Sequence, residues 1–261
     1  MMLPPAVLCL GLFAGMLVFL MGGLWLGQRF TQSAEGSAET SIIDGAVFAL
    51  LGLLLGFAFA GAVNRLDNRR NLIIEEANAI STAYLAIDLL EPNDLRAVMK
   101  LFPLYLDARI AAYRMIDSGS DPHKAFEGAE QLQSQIWTGV GAAVVKPERQ
   151  FAAQVVLPSI TRMIEIATER KVALGTHLPG LVLSLLIGVA LLSGLLAGHA
   201  MARSPGHAMA RQGRRSLIHG GFFAAAVSLT IYTVLDIDDP RSGLVRLDAA
   251  ERVLQDLRDT M

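Results

Sequence analysis

Four long windows without a charged side chain constrain this chain more than anything else in it. The first covers residues 1–28 and ends at Arg29. The second runs from Gly45 to Asn64, between Asp44 and Arg65. The third runs from Leu178 to Gly198, and the fourth from Ser216 to Leu235 with His219 near its start. About 20 apolar residues in a helix cross roughly 30 Å of hydrocarbon. A bilayer core has no water to satisfy open backbone groups, so only helices and closed barrels span it. The pattern therefore predicts an all-α protein with four transmembrane helices in contact with membrane lipid. A cleaved signal peptide is the alternative for the first window. That window lacks a basic leading segment and its apolar run is longer than such peptides use, which favours a retained span.

Charge is concentrated in one stretch. Of the chain's 22 Lys and Arg and 24 Asp and Glu, residues 65–177 hold 13 and 14. That is the density of a soluble protein. The expected organisation is spans 1 and 2 in residues 1–64, a helical soluble domain in 65–177, and spans 3 and 4 in 178–235. A tail, 236–261, closes in an amphipathic pattern from Ala249 onward and is expected to pack on the soluble domain. Net charge is −2, with no basic excess to suit nucleic acid. The single Cys9 cannot form an internal disulfide.

Turn signals divide the soluble part. None interrupts residues 65–90, so the second span should continue out of the membrane as one helix. Glu91-Pro92 ends it, because the residue before proline avoids helical backbone and proline suits a first turn. A helix follows over about 93–116, with a kink predicted at Pro103. The segment Ser118 to Pro122 reads as a loop, a further helix runs to about Val145, and Pro147 opens another that kinks at Pro158. Four spans place both termini and the soluble domain on one face. That face carries Arg65, Arg69, Arg70, Arg162, Arg170, Lys171, Arg241 and Arg246 near the membrane. The other carries Arg29, Arg203, Arg211, Arg214 and Arg215. The excess of positive charge puts the domain on the cytoplasmic side.

The second span and its extension hold the most informative pattern. At the helical step of about 100° per residue, Leu50, Leu53, Phe57, Asn64, Asn68, Asn71, Glu75, Asn78 and Thr82 all fall within about 40° of one line. The line is apolar inside the bilayer and polar below it. The opposite face below the membrane carries Leu66, Ile73, Ala77, Ile80 and Tyr84, suited to a packed interior. One reading is an amphipathic extension whose polar face meets bulk water. The other is a pore-lining helix in an oligomer, with apolar rings forming a neck that gates by dewetting and polar rings lining a vestibule. Gly45, Ala49, Gly52, Gly56 and Ala60 form a neighbouring face of small residues. Such residues let membrane helices approach closely, although glycine is frequent in spans generally.

The segments LLGFAFAGAVNRLDNRRNLIIEEANAISTAYLAIDLL, LYLDARIAAY and DIDDPRSGLVRL resemble the bacterial bestrophin-like family, distant relatives of the bestrophin channels. The resemblance covers about residues 45–115 and 216–250. It implies a bacterial inner-membrane protein, a homo-oligomer that is pentameric, and a neck lined by the second helix at Leu50, Leu53 and Phe57. It also implies chloride as the permeant ion, whereas a ring of Glu75 on the inferred face would attract cations, so chloride and small monovalent cations both stay open.

Other clusters lead elsewhere. Asp236, Asp238 and Asp239 follow the last span, where bestrophins of animals bind Ca²⁺. Three carboxylates before Pro240 and Arg241 are short of that acidic run, and ion pairing with Arg65, Arg69 or Arg70 at the same depth is the expected role. His177, His199 and His219 share no motif, and two ligands are too few for a typical zinc site, so no metal is expected. Glu75 and Glu76 point about 100° apart on a helix and cannot share one site. No nucleophile triad, P-loop or dinucleotide fingerprint is present, so neither an enzyme nor a cofactor is expected. The competing function is a non-conducting membrane scaffold or sensor whose helical domain binds a cytosolic protein.

Overall fold

The structure, a computed structural model, describes residues 5–30, 37–117, 121–203, 210–238 and 248–261. Among the described residues there are nine α-helices and no strand. They are α1 Pro5–Phe30, α2 Ser37–Ala86, α3 Pro92–Met99, α4 Leu101–Asp117, α5 Pro122–Val144, α6 Gln150–Leu174, α7 Gly180–Arg203, α8 Ala210–Asp238 and α9 Asp248–Asp259. Four helices are long and apolar enough to cross a membrane: Pro5–Arg29, Ser41–Leu89, Gly180–Ala202 and Leu217–Asp238. They fall on the four charge-free windows, and the chain is an all-α membrane protein. The second stretches over 49 residues, about 73 Å at 1.5 Å per residue. That is more than twice the hydrocarbon thickness, so only its charge-free part is needed to span.

The chain divides into two compact units. The first comprises residues 1–66 and 177–245, and the second residues 67–176 and 246–261. In the first unit α1 packs along α7 and α8. Leu12, Met16, Leu51, Ala190, Ala224 and Ile231 form its apolar centre, and the Phe48 and Phe223 rings meet edge to face at 5.6 Å. α1 and α7 approach so closely that a Cβ on Gly198 would collide with the Leu20 carbonyl oxygen, and one on Gly23 with that of Leu195. Only glycine permits this backbone-to-backbone contact, which replaces the hydrophobic drive that lipid cannot supply. Met16, with no exposed surface, makes α1 part of the unit's core.

The second unit is built around Ile80, Ile87, Phe102, Tyr105, Phe126, Ile136, Ile160 and Met163. Its first helix is the later part of α2, which runs unbroken to Ala86. Its apolar face packs inward: Ile73, Ala77 and Ile80 are buried, and Tyr84 stacks edge to face on Phe102 at 5.4 Å. A single 3-10 turn, Ile87–Leu89, closes it, and Glu91 is extended with ψ 152° ahead of Pro92. The kink expected at Pro103 is instead a break between α3 and α4 at Lys100. Proline cannot donate to the carbonyl four residues back, and its ring clashes there. The disruption is thus felt a turn upstream, leaving Pro103 in the first turn of α4, where its missing N–H has no helical partner to lose. Pro158 lies inside α6, which runs on past it to Leu174. α9 buries Leu254 in the core, and Arg258 donates to both carboxylate oxygens of Asp107 at 2.8 and 3.0 Å.

Candidate functional site

The face of α2 singled out by its spacing is uncovered along its whole length. Leu50, Leu53 and Phe57 are 46%, 54% and 67% exposed. Asn64, Asn68, Asn71, Glu75, Asn78 and Thr82 are exposed as well. Residues on the far side of the same helix, Leu51, Ala58, Ala62 and Leu66, are buried. The helix therefore has one side packed by its own chain and one side left open. The small-residue face is open too: a Cβ on Gly45, Gly52 or Gly56 would have no neighbour within 4 Å. Three large apolar side chains in the charge-free window, followed by amides beyond it, form a surface that changes from apolar to polar along a single line.

Charges at the root of this helix find partners. Asp238 is buried at the end of α8. One of its carboxylate oxygens accepts from Arg65 Nε at 2.5 Å, and the other from the backbone N–H of Leu178 at 2.7 Å. His177 Nδ1 stands 3.9 Å from the second oxygen. Asp238 thus joins α2, the approach to α7 and α8 at one point. Arg70 pairs with Asp67 one turn back at 3.7 Å, exposed. Asp236 is buried, and Asp239 lies outside the described residues. In the second unit the buried Arg69 donates to the carbonyls of Ala173 and Thr176 at 3.3 and 2.7 Å. Ala173 lies in the last turn of α6 and Thr176 just beyond its end, where carbonyls lack the regular donors of the helix interior. Among the described residues no group of three or more His, Cys, Asp or Glu is arranged to hold a metal.

Glu75 and Glu76 separate as their helical step requires, and burial distinguishes them. Glu75 stays half exposed, with Arg162 of α6 at 3.2 Å. Glu76 has no exposed surface. It accepts from Arg109 Nε at 2.6 Å, from Arg170 at 2.5 Å and from the Tyr113 hydroxyl at 3.3 Å. Arg109 also donates to the Tyr113 oxygen at 2.5 Å. The Arg170 guanidinium lies 3.5 Å from the centre of the Tyr113 ring, and that of Arg109 lies 4.7 Å from the Phe126 ring, both attractive placements of a cation over an aromatic face. Burial works against the Arg109 charge, but the Glu76 carboxylate in contact with it holds the guanidinium protonated beyond its ordinary value. Burial likewise pushes the Tyr105 and Tyr113 hydroxyls far above their usual range, so both remain neutral donors.

Two features escaped the sequence reading. Arg109 and Arg170 lie 33 and 94 residues from Glu76, and no local pattern pairs them. The α1–α7 crossing did leave a signal: glycines four apart occur at Gly23 and Gly27 and again at Gly194 and Gly198, the spacing of close-packed membrane helices.

A family model described as the Bestrophin-like domain matches residues 14–251. No curated protein and no solved structure matches the chain.

Proposed function

Because the chain belongs to the bestrophin-like family, we propose that it is an oligomeric ion channel of the bacterial inner membrane whose second helix lines the permeation path. The observation that carries this reading is the uncovered stripe of α2. From Leu50 to Thr82 it extends over 32 helical steps, about 48 Å, apolar then polar, with its side chains exposed. One helix cannot enclose a path, so several copies must arrange their stripes around an axis, and a closed ring is the ordinary solution for identical subunits. A pentamer is the ring that the resemblance to bestrophin channels favours. Leu50, Leu53 and Phe57 then form a neck narrow and dry enough to stop ions by dewetting, and Asn64, Asn68, Asn71, Asn78 and Thr82 offer amides and a hydroxyl to hydrated ions below it. The second unit lies on the cytoplasmic side by the arginine asymmetry. The permeant ion is chloride or a small monovalent cation.

The test is the mass of the purified protein in detergent, followed by currents in planar bilayers. An oligomer that conducts, with Leu53→Ala and Phe57→Ala each raising conductance, supports the reading. A monomer overturns it and leaves the scaffold function. So does an oligomer that passes no current in any of the three forms.

A further inference from the structure

On the proposed path the charged residue of the stripe is Glu75, and its surroundings decide what that charge is worth. Arg162 of α6 lies 3.2 Å from Glu75, 3.4 Å from Glu169 and 3.6 Å from Glu165. Positions 162, 165 and 169 share one face of α6, and all four side chains are 50–55% exposed. One guanidinium is therefore divided among three carboxylates, and the group keeps two net negative charges facing water. Behind α2 the buried Glu76 meets both Arg109 and Arg170, which leaves one positive charge. Lys171 and Glu130 cancel each other at 2.6 Å. The exposed charge around Glu75 itself is negative.

We infer that Arg162 is a specificity-determining residue of the permeation path: by splitting its charge among Glu75, Glu165 and Glu169 it limits how strongly the vestibule face favours cations. This rests on the channel reading. Arg162 reaches the stripe from a different helix, so it tunes the charge of Glu75 without occupying the stripe itself. One unit charge about 8 Å from a passing ion, screened over about one Debye length, changes the local ratio of cations to anions about twofold in each copy. Copies around an axis multiply that effect.

The experiment measures reversal potentials of the full-length protein in planar bilayers under a KCl gradient. Arg162→Gln should shift the potential towards the cation side, by at least about a twofold change in the permeability ratio. Glu75→Gln should shift it the other way. The double variant should fall between them, and Arg162→Lys, which keeps the charge, should resemble the wild type. Arg258→Gln, at the exposed pair with Asp107 elsewhere in the same unit, should change nothing. If currents persist and Arg162→Gln leaves the reversal potential unmoved, the inference is overturned. It is also overturned if Arg162→Lys behaves like Arg162→Gln, since shape rather than charge would then matter. Silence of the wild type, Leu53→Ala and Phe57→Ala alike sinks the channel reading itself and this inference with it.

Discussion

Replacing Glu76 by Gln should destabilise the second unit severely, although the side chain keeps its size and shape. Glu76 is fully buried and is the shared partner of Arg109 and Arg170, whose side chains are 3% and 4% exposed. Neutralising it leaves two guanidinium groups out of water beside an uncharged amide. Breaking a buried pair in this way costs about 3–5 kcal/mol, because the remaining charge has lost its compensation. Each kcal/mol moves a melting midpoint by about 2–4 °C in a chain of 150–250 residues, so the drop should be on the order of 10 °C. The assay is thermal unfolding of the purified protein in detergent, followed by tyrosine absorbance or circular dichroism. The triple variant Glu76→Leu, Arg109→Met, Arg170→Met should melt higher than Glu76→Gln alone, because no unpaired charge is left behind. A midpoint within about 2 °C of wild type for Glu76→Gln would refute the reasoning, as would a triple variant that loses the sum of the single changes.

Other outcomes follow from the same structure. Arg65→Gln and Asp238→Asn should each lower the melting midpoint, and the double variant should lose less than their sum, with a coupling of about 0.5–3 kcal/mol; strict additivity would mean that the contact contributes nothing. Gly198→Val should separate α1 from α7, since its Cβ would strike the Leu20 carbonyl, at a cost of about 1–3 kcal/mol read in the same melts. Gly52→Leu, with open space around it in the single chain, should spare that fold and weaken the oligomer, as measured by mass in detergent; an unchanged oligomer would show that this face meets lipid.

Periodicity and charge spacing in the sequence were enough to determine the four spans, the all-helical class and the unbroken run of α2 out of the membrane. They also placed Leu50, Leu53, Phe57 and the polar residues below on one line. These are local properties: a span is set by apolar length against a fixed bilayer thickness, and a face by the 3.6-residue turn. The tertiary structure decided which faces its own chain covers and which partners the charges take. Glu75 and Glu76 are identical side chains next to each other, yet one meets water and the other sits in the core. Only the arrival of α4 and α6, bringing Arg109 and Arg170, makes the second position tolerable for a carboxylate. The Arg65 side chain meets Asp238, 173 residues away, and the Arg69 side chain meets the carbonyls of Ala173 and Thr176, 104 and 107 residues away. Burial and pairing depend on contacts between residues far apart in the chain, and no spacing rule along one helix encodes what another helix will bring to it.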